Sequence, residues 1–209
     1  MMKKLLPLFI LITFLSMSFT LRAQQVIEYG VMTGLNIANL SGKDVPSNAT
    51  SKAGLLLGFA FQYYFTPIFS IEPEVLYSMR GATTFGSFKT EVITLNYIEF
   101  PVLAKYNFHL SPKEPVYANL FVGPSIALNV GAKDKINDNG YISTVDLRNS
   151  TKALDYGLVI GAGMDFDMNT SIFSVGTRYT FGLSSMNKAY VNRIWRNGVF
   201  AITIGYSFK

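Results

Sequence analysis

Cysteine is absent from the 209 residues, and histidine and tryptophan each occur once. Without cysteine there is no disulfide scaffold, no thiolate metal site, no cysteine nucleophile and no lipidated N-terminal cysteine. Charge is scarce as well: 15% of residues are Asp, Glu, Lys or Arg, against about 25% in soluble domains. Beyond residue 23 no apolar run approaches the roughly 20 residues of a membrane-spanning helix. P-loop, dinucleotide and metal-ligand spacings are missing too. A chain that is 49% hydrophobic, poor in charge and without helical spans points to a membrane crossed by strands.

Residues 1–23 have the three-part layout of a secretory signal peptide: Lys3 and Lys4, the apolar run Leu5–Leu15, then small and polar residues ending at Ala23. Cleavage is expected after Ala23, leaving residues 24–209 as one domain. Loss of Lys3, Lys4 and Arg22 takes the net charge from +5 to +2. The basic isoelectric point is therefore mostly the leader's, and it makes no case for a nucleic acid partner.

Period-2 alternation defines eight candidate strands near residues 29–38, 53–66, 69–81, 92–108, 116–130, 153–167, 171–183 and 197–208. Most exceed the 9 to 11 residues of a tilted transmembrane strand. The last strand sets Phe200, Ile202, Ile204, Tyr206 and Phe208 against Val199, Ala201, Thr203, Gly205 and Ser207. Elsewhere the charges Glu72, Glu74, Arg80, Glu99, Lys105, Asp155, Asp165 and Arg178 share a parity with Gly, Ala and Ser, while bulky apolar residues hold the other. Eight strands enclose only enough room for side chains, so the small and charged parity faces inward and the bulky one faces lipid. The opposite choice would place Arg or Lys in lipid at about 2–4 kcal/mol each near the midplane.

Connection lengths test this independently. Residues 66–68, 109–115 and 168–170 are short, whereas 39–52, 82–91, 131–152 and 184–196 are long, and the two kinds alternate, as short periplasmic turns and long extracellular loops do. Phe65, Phe69, Phe108, Phe166, Phe173 and Phe208 fall on the bulky parity at the short-turn ends and predict an aromatic girdle there. Pro73, Pro101 and Pro124 lie within strands, where each removes a ladder donor and suggests a bulge.

The segments Glu72-Pro73-Glu74-Val75-Leu76-Tyr77-Ser78 and Tyr97-Ile98-Glu99-Phe100-Pro101, with Gly123-Pro124, Asp155-Tyr156-Gly157-Leu158, Arg178-Tyr179 and the terminal strand into Phe208, resemble the PorT-like or "porin family" outer membrane beta-barrel domain family of Gram-negative bacteria. The resemblance covers most of the mature chain. It implies an all-β, eight-stranded, antiparallel up-and-down transmembrane β-barrel of OmpA/OmpX-like architecture in the outer membrane, with no single activity attached. A PorT-type member takes part in type IX secretion. A terminal Phe is a signal read by the barrel assembly machinery, and here Lys209 follows Phe208.

The inward acids and bases form the one constellation with chemical potential. Adjacent carboxylates such as Glu72 and Glu99 could share a proton, bind a cation or serve glycoside hydrolysis, but acids and bases occur together, which favours a charge-paired structural interior. Nothing in the sequence signals a cleft for a substrate. His109 falls in a short turn beside Leu110, away from the rim where barrel enzymes place a Ser–His pair. Asp134, Asp138 and Asp146 could meet calcium, though Lys133, Lys135 and Arg148 make a mixed-charge loop the better reading. A wide pore conflicts with eight strands and with inward Tyr64, Leu76, Tyr97 and Tyr117. The expectation is a non-enzymatic barrel with no cofactor and no metal. It acts through its loops, where Lys43, Lys133, Lys135, Lys188, Arg193, Arg196, Tyr190 and Trp195 could meet lipopolysaccharide, outer membrane lipid or an envelope protein. The alternative is a small-molecule channel or receptor.

Overall fold

The computed structural model describes residues 27–42, 45, 47–110, 114–185, 188 and 195–209. The leader, Lys43, Tyr190 and Arg193 lie outside the described residues. The strands are β1 (Ile27–Ser41), β2 (Ala49–Thr66), β3 (Phe69–Phe85), β4 (Lys89–His109), β5 (Val116–Asp138), β6 (Tyr141–Asp146), β7 (Leu154–Asp167), β8 (Ser171–Gly182) and β9 (Arg196–Phe208). All pairings are antiparallel, and β1 pairs with both β2 and β9 while β5 pairs with both β4 and β7. Eight strands thus close a ring in the order β3, β2, β1, β9, β8, β7, β5, β4. Closure leaves no edge along the ring, so every wall strand finds its hydrogen bonds inside the protein.

Side-chain facing follows the alternation. Phe200, Ile202, Ile204, Tyr206 and Phe208 are exposed on the outer wall, while Ala201 and Thr203 are buried. Likewise Tyr156, Leu158 and Ile160 are exposed, while Asp155 and Val159 are buried. The protein therefore has an apolar exterior and a mostly polar interior, which is the inverse of a soluble barrel.

Two loop expectations change. The connection at 82–91 is mostly strand: β3 and β4 run on to Phe85 and Lys89 and leave only residues 86–88 as a turn. The segment at 131–152 is not all loop either, since β5 continues to Asp138 and turns at Asn139-Gly140 into β6. β4 and β5 reach 21 and 23 residues, about twice what a bilayer requires. Their excess projects at the long-loop end as a sheet in which Lys89–Asn96 pairs with Gly131–Asp138. The sequence hid this because the alternation fails where it begins: Arg80, Gly81 and Ala82 are buried in succession. Gly81 has φ +142°, and a Cβ there would meet the Ile93 carbonyl oxygen at 2.0 Å, so only glycine fits this backbone while pairing with β4 continues.

The prolines make no bulges. Pro73 stays opposite Val102 and Pro101 opposite Ser125, in the same registers as the pairs on either side. Register shifts occur instead between Ser51 and Leu56, Tyr64 and Thr66, and Asn96 and Tyr97. A proline deletes one donor, but the ring closed by the other strands holds the register.

Candidate functional site

The interior is organised in levels, because each inward position of one strand meets the inward positions of its neighbours at the same height. Near the middle, Arg178 of β8 donates from Nη1 and Nη2 to both carboxylate oxygens of Glu74 on β3, at 2.6 and 2.7 Å. β3 and β8 are four steps apart in the ring of eight by either route. This fork therefore spans the full diameter. The guanidinium also lies over the Phe121 ring, 5.5 Å from its centroid, and Phe121 packs with Leu103 and Val159. Phe121 fits inside because Gly161 faces it: a Cβ at 161 would lie 2.3 Å from the Phe121 Cζ.

Toward the long-loop end, Arg80 pairs with Glu99 and lies 3.6 Å from Asp155. Ser125 donates to Glu99 at 2.6 Å, and Asn197 donates to Asp155 at 2.8 Å. Above this level Tyr97 and Leu95 are completely buried with Ala127 and Ala132, and Leu40, Ile93, Leu147 and Trp195 pack against them. Asn197 donates to the Tyr97 hydroxyl at 3.4 Å, again between strands on opposite sides of the ring. An apolar plug thus closes this end.

Toward the short-turn end, Lys105 donates to Glu72 at 3.0 Å and to Gln62 at 2.9 Å, and lies 3.6 Å from Asp165. Asn119 donates to Asp165 at 2.8 Å. Below this level the side chains part around a cavity of about 540 Å³, with Glu28, Tyr64, Asn107, His109, Asp165 and Asp167 in its wall. The absence of a cleft expected from the sequence is corrected here: aromatic and turn residues at the strand ends leave space that no side chain of the described residues fills.

All eight inward charges read from the sequence are thereby placed in the lumen and brought into three linked groups. Glu28 belongs with them, buried and accepting a hydrogen bond from Tyr64. Sequence reasoning missed it because the first strand was taken to begin one residue later. Phe121 was missed because an aromatic on the small parity looks out of place until Gly161 is set against it.

The six Phe residues sit on the outer wall at the short-turn end, and tyrosines the sequence reading left out join them. Ring centroids lie 5.8 Å apart for Phe65 and Phe69, 6.2 Å for Phe166 and Phe173, 6.1 Å for Tyr106 and Phe108, and 6.0 Å for Tyr29 and Phe208. At the other end Lys133, Lys135 and Arg196 are exposed. Trp195 is instead half-buried against the plug, which corrects its expected place as an outward contact. The Arg148 guanidinium hydrogen-bonds Asp146 and holds its carboxyl below the usual carboxylate range. Among the described residues no cluster of His, Asp and Glu has metal-binding geometry, and the His109 ring lies against Tyr117, tilted by 45° with centroids 4.1 Å apart.

Residues 22–188 match the family model described as outer membrane protein beta-barrel domain. No curated protein matches the chain. Among solved structures, the chain is similar to Neisserial surface protein A, at 16% identity over 87% of this chain and 96% of that one, with a TM-score of 0.48. Outer membrane protein OprG from Pseudomonas aeruginosa gives 15%, 88%, 97% and 0.47. Ail, the attachment invasion locus protein of Yersinia pestis, gives 16%, 87%, 98% and 0.42.

Proposed function

The chain belongs to the outer membrane protein beta-barrel domain family, and from that premise we propose that it is a non-enzymatic binding or assembly module whose working surface is its long-loop end. The observation that carries this reading is the pair of cross-lumen contacts, Arg178 with Glu74 and Asn197 with Tyr97. They occupy the space a solute would need. With no passage through the lumen, the protein meets its surroundings at the rims and the outer wall.

In this reading residues 1–23 are a signal peptide, the short turns are periplasmic and the long loops extracellular. The six-Phe ring with its tyrosines sits at the periplasmic interface of the outer membrane lipid. Lys133, Lys135 and Arg196 are placed to meet lipopolysaccharide phosphates. The barrel assembly machinery reads the terminal strand through Phe208. An envelope protein partner is met by the projecting sheet, whose strand β6 is exposed at every residue and, among the described residues, pairs only with β5. Tyr141 and Ile142 stand well out of the surface there, and such an unprotected edge accepts an added strand.

Planar-bilayer recording of the mature protein tests the proposal, with no stable conductance expected. A stable open state overturns it in favour of a small-molecule channel. Loss of type IX cargo secretion on deleting the protein, with no partner crosslinked at Tyr141, would instead favour the secretion role that the PorT-like resemblance carries.

A further inference from the structure

We infer that the tip of the projecting sheet inserts into the headgroup region of a second, opposing bilayer of zwitterionic lipid. This rests on the outward placement of the long loops proposed above, not on the closed lumen, and it adds a surface distinct from the β6 edge. Phe85 and Phe88 at the β3–β4 turn, with Tyr141 and Ile142 at the β5–β6 turn, are all exposed. Phe88 at 76% and Tyr141 at 84% exceed every apolar residue of the lipid-facing wall, where Leu35 reaches 65%. The Asn139 N–H donates to the Phe88 carbonyl at 3.1 Å, so the two turns form one tip. From Asn96 to Lys89 the paired strands run on for about 23 Å at the usual strand rise. Exposed Lys133 and Lys135 lie on that stretch, between the apolar wall and the tip. The lipid of the protein's own membrane therefore ends below them, and the tip needs another apolar medium.

The placement of these side chains selects a bilayer over a protein. Phe85, Thr90, Asn137 and Ile142 stand opposite one another in successive strands, so Phe85 and Ile142 share one face of the sheet. Tyr141 stands in the next row, opposite Asp138 and then Lys89, on the other face. Apolar groups on both faces of a narrow end are buried together only by a medium that surrounds it. Four side chains also fall far short of the roughly 20–30 residues a side in a stable protein interface. Charge at the tip is balanced: Lys89 Nζ lies 2.5 Å from Glu91, and Asp138 stands opposite Lys89. The tip therefore carries no excess of cations to select anionic headgroups, which points to zwitterionic lipid.

The backbone of the two turns is the second, separate indication. Gly86 N–H donates to the Lys89 carbonyl at 2.7 Å, and Gly140 N–H donates to Asn137 Oδ1 at 3.1 Å. With the Asn139 donor, these turn amides are partnered within the protein. Water would satisfy them in an ordinary exposed turn, whereas in lipid each must find its partner internally. Aromatic side chains, for their part, are the ones that settle at the headgroup level of a bilayer.

The test uses the full mature protein in lipid nanodiscs, floated with phosphatidylcholine vesicles, with empty nanodiscs as the control. Flotation is expected, and it should not weaken as salt is raised from about 0.1 to 0.5 M, since charge is not what holds the tip. Phe88→Ser and Tyr141→Ser are each expected to weaken binding at least about tenfold, as loss of one large buried side chain warrants. The chain has no cysteine, so Ser87→Cys at the tip and Thr144→Cys in the middle of β6 each take a single environment-sensitive label. Vesicles should shift the Ser87→Cys label to the blue and expose it to quenching by spin-labelled lipid, and leave the Thr144→Cys label unmoved. Retained heat-modifiable migration shows that a variant has folded. Absence of flotation overturns the proposal. So does flotation confined to anionic vesicles and lost in salt, which assigns the contact to Lys133 and Lys135. A Ser87→Cys shift without vesicles overturns it in favour of a second copy of the chain, and an equal response of both labels in favour of the β6 edge. Failed flotation leaves the closed lumen untouched, and a stable conductance leaves the lipid contact untouched, so the two proposals fail separately.

Discussion

The two ends of the lumen solve the same closure problem in opposite ways. At the long-loop end Leu95, Tyr97 and Ala127 are buried and Leu147 and Trp195 pack on them, so water is excluded by apolar contact. At the short-turn end the wall carries Glu28, Asp165 and Asp167 around a cavity that no side chain of the described residues fills. The plug is built from inward residues of β4 and β5, with Leu147 and Trp195 added from the long connections, so the difference comes from what each strand end turns inward and from what the connections add. Long segments return to pack on the barrel, whereas the turn at Pro67-Ile68 has no length to do so. The Arg178–Glu74 fork crosses the lumen between the two ends, and each end is left to the chemistry of its rim.

Breaking the fork should have the largest effect. Arg178→Ala leaves Glu74 buried at the centre without its guanidinium, and about 3–5 kcal/mol of stability is expected to be lost. Urea unfolding in lipid vesicles measures it. Replacing both partners with alanine should cost less than Arg178→Ala alone, because no unpaired charge remains. If the double variant is the less stable, the fork is not what braces the two halves of the ring.

Gly161→Ala acts on the same level by volume. The added methyl would contact the Phe121 ring and the Thr177 carbonyl oxygen, at 2.3 and 2.4 Å before relaxation, and a loss of about 1–3 kcal/mol is expected. Pairing it with Phe121→Leu should recover part of that loss in the same unfolding measurement.

At the plug, Tyr97→Phe removes the hydroxyl that accepts from Asn197 at 3.4 Å while keeping the ring. The expected cost is about 0.5–1.5 kcal/mol, and faster exchange of the β4 amides near the rim would report loosening of this end alone. A cost equal to that of Arg178→Ala would mean that the plug, not the fork, dominates closure.

The smallest effect sharpens the contrast between the wall and the projecting sheet. Arg148 lowers the Asp146 carboxyl below its unfolded value. The contact is therefore fully present above the ordinary carboxylate range and is lost as pH falls through the lowered value. Asp146→Asn should abolish this acid transition in the resonances of β6 and leave global unfolding at neutral pH unchanged.

The barrel was legible because period 2 is a local property: each pair of neighbouring residues declares its faces. Glu72, Glu74, Glu99 and Arg178 could be assigned to the lumen without knowing what they touch. The partner of each could not, since Arg178 and Glu74 are 104 residues apart and every inward acid is a candidate until the shear of the closed ring sets the heights. Prolines illustrate the same limit. Pro73 and Pro101 removed ladder donors as expected, yet produced no bulge, because register is held by strands on both sides. The extension of β3 was lost at Arg80-Gly81-Ala82, where three successive residues are buried and the local pattern stops reporting the strand.

What the sequence determined by itself is the list of what faces in and what faces out, because hydrophobic burial in lipid and the strand period act on each residue independently of its distant neighbours. Only the tertiary structure decided which charges meet, where Phe121 finds room, and that one end is plugged while the other holds a cavity. Those outcomes depend on which levels coincide once eight strands have closed, and distance along the chain carries no information about that.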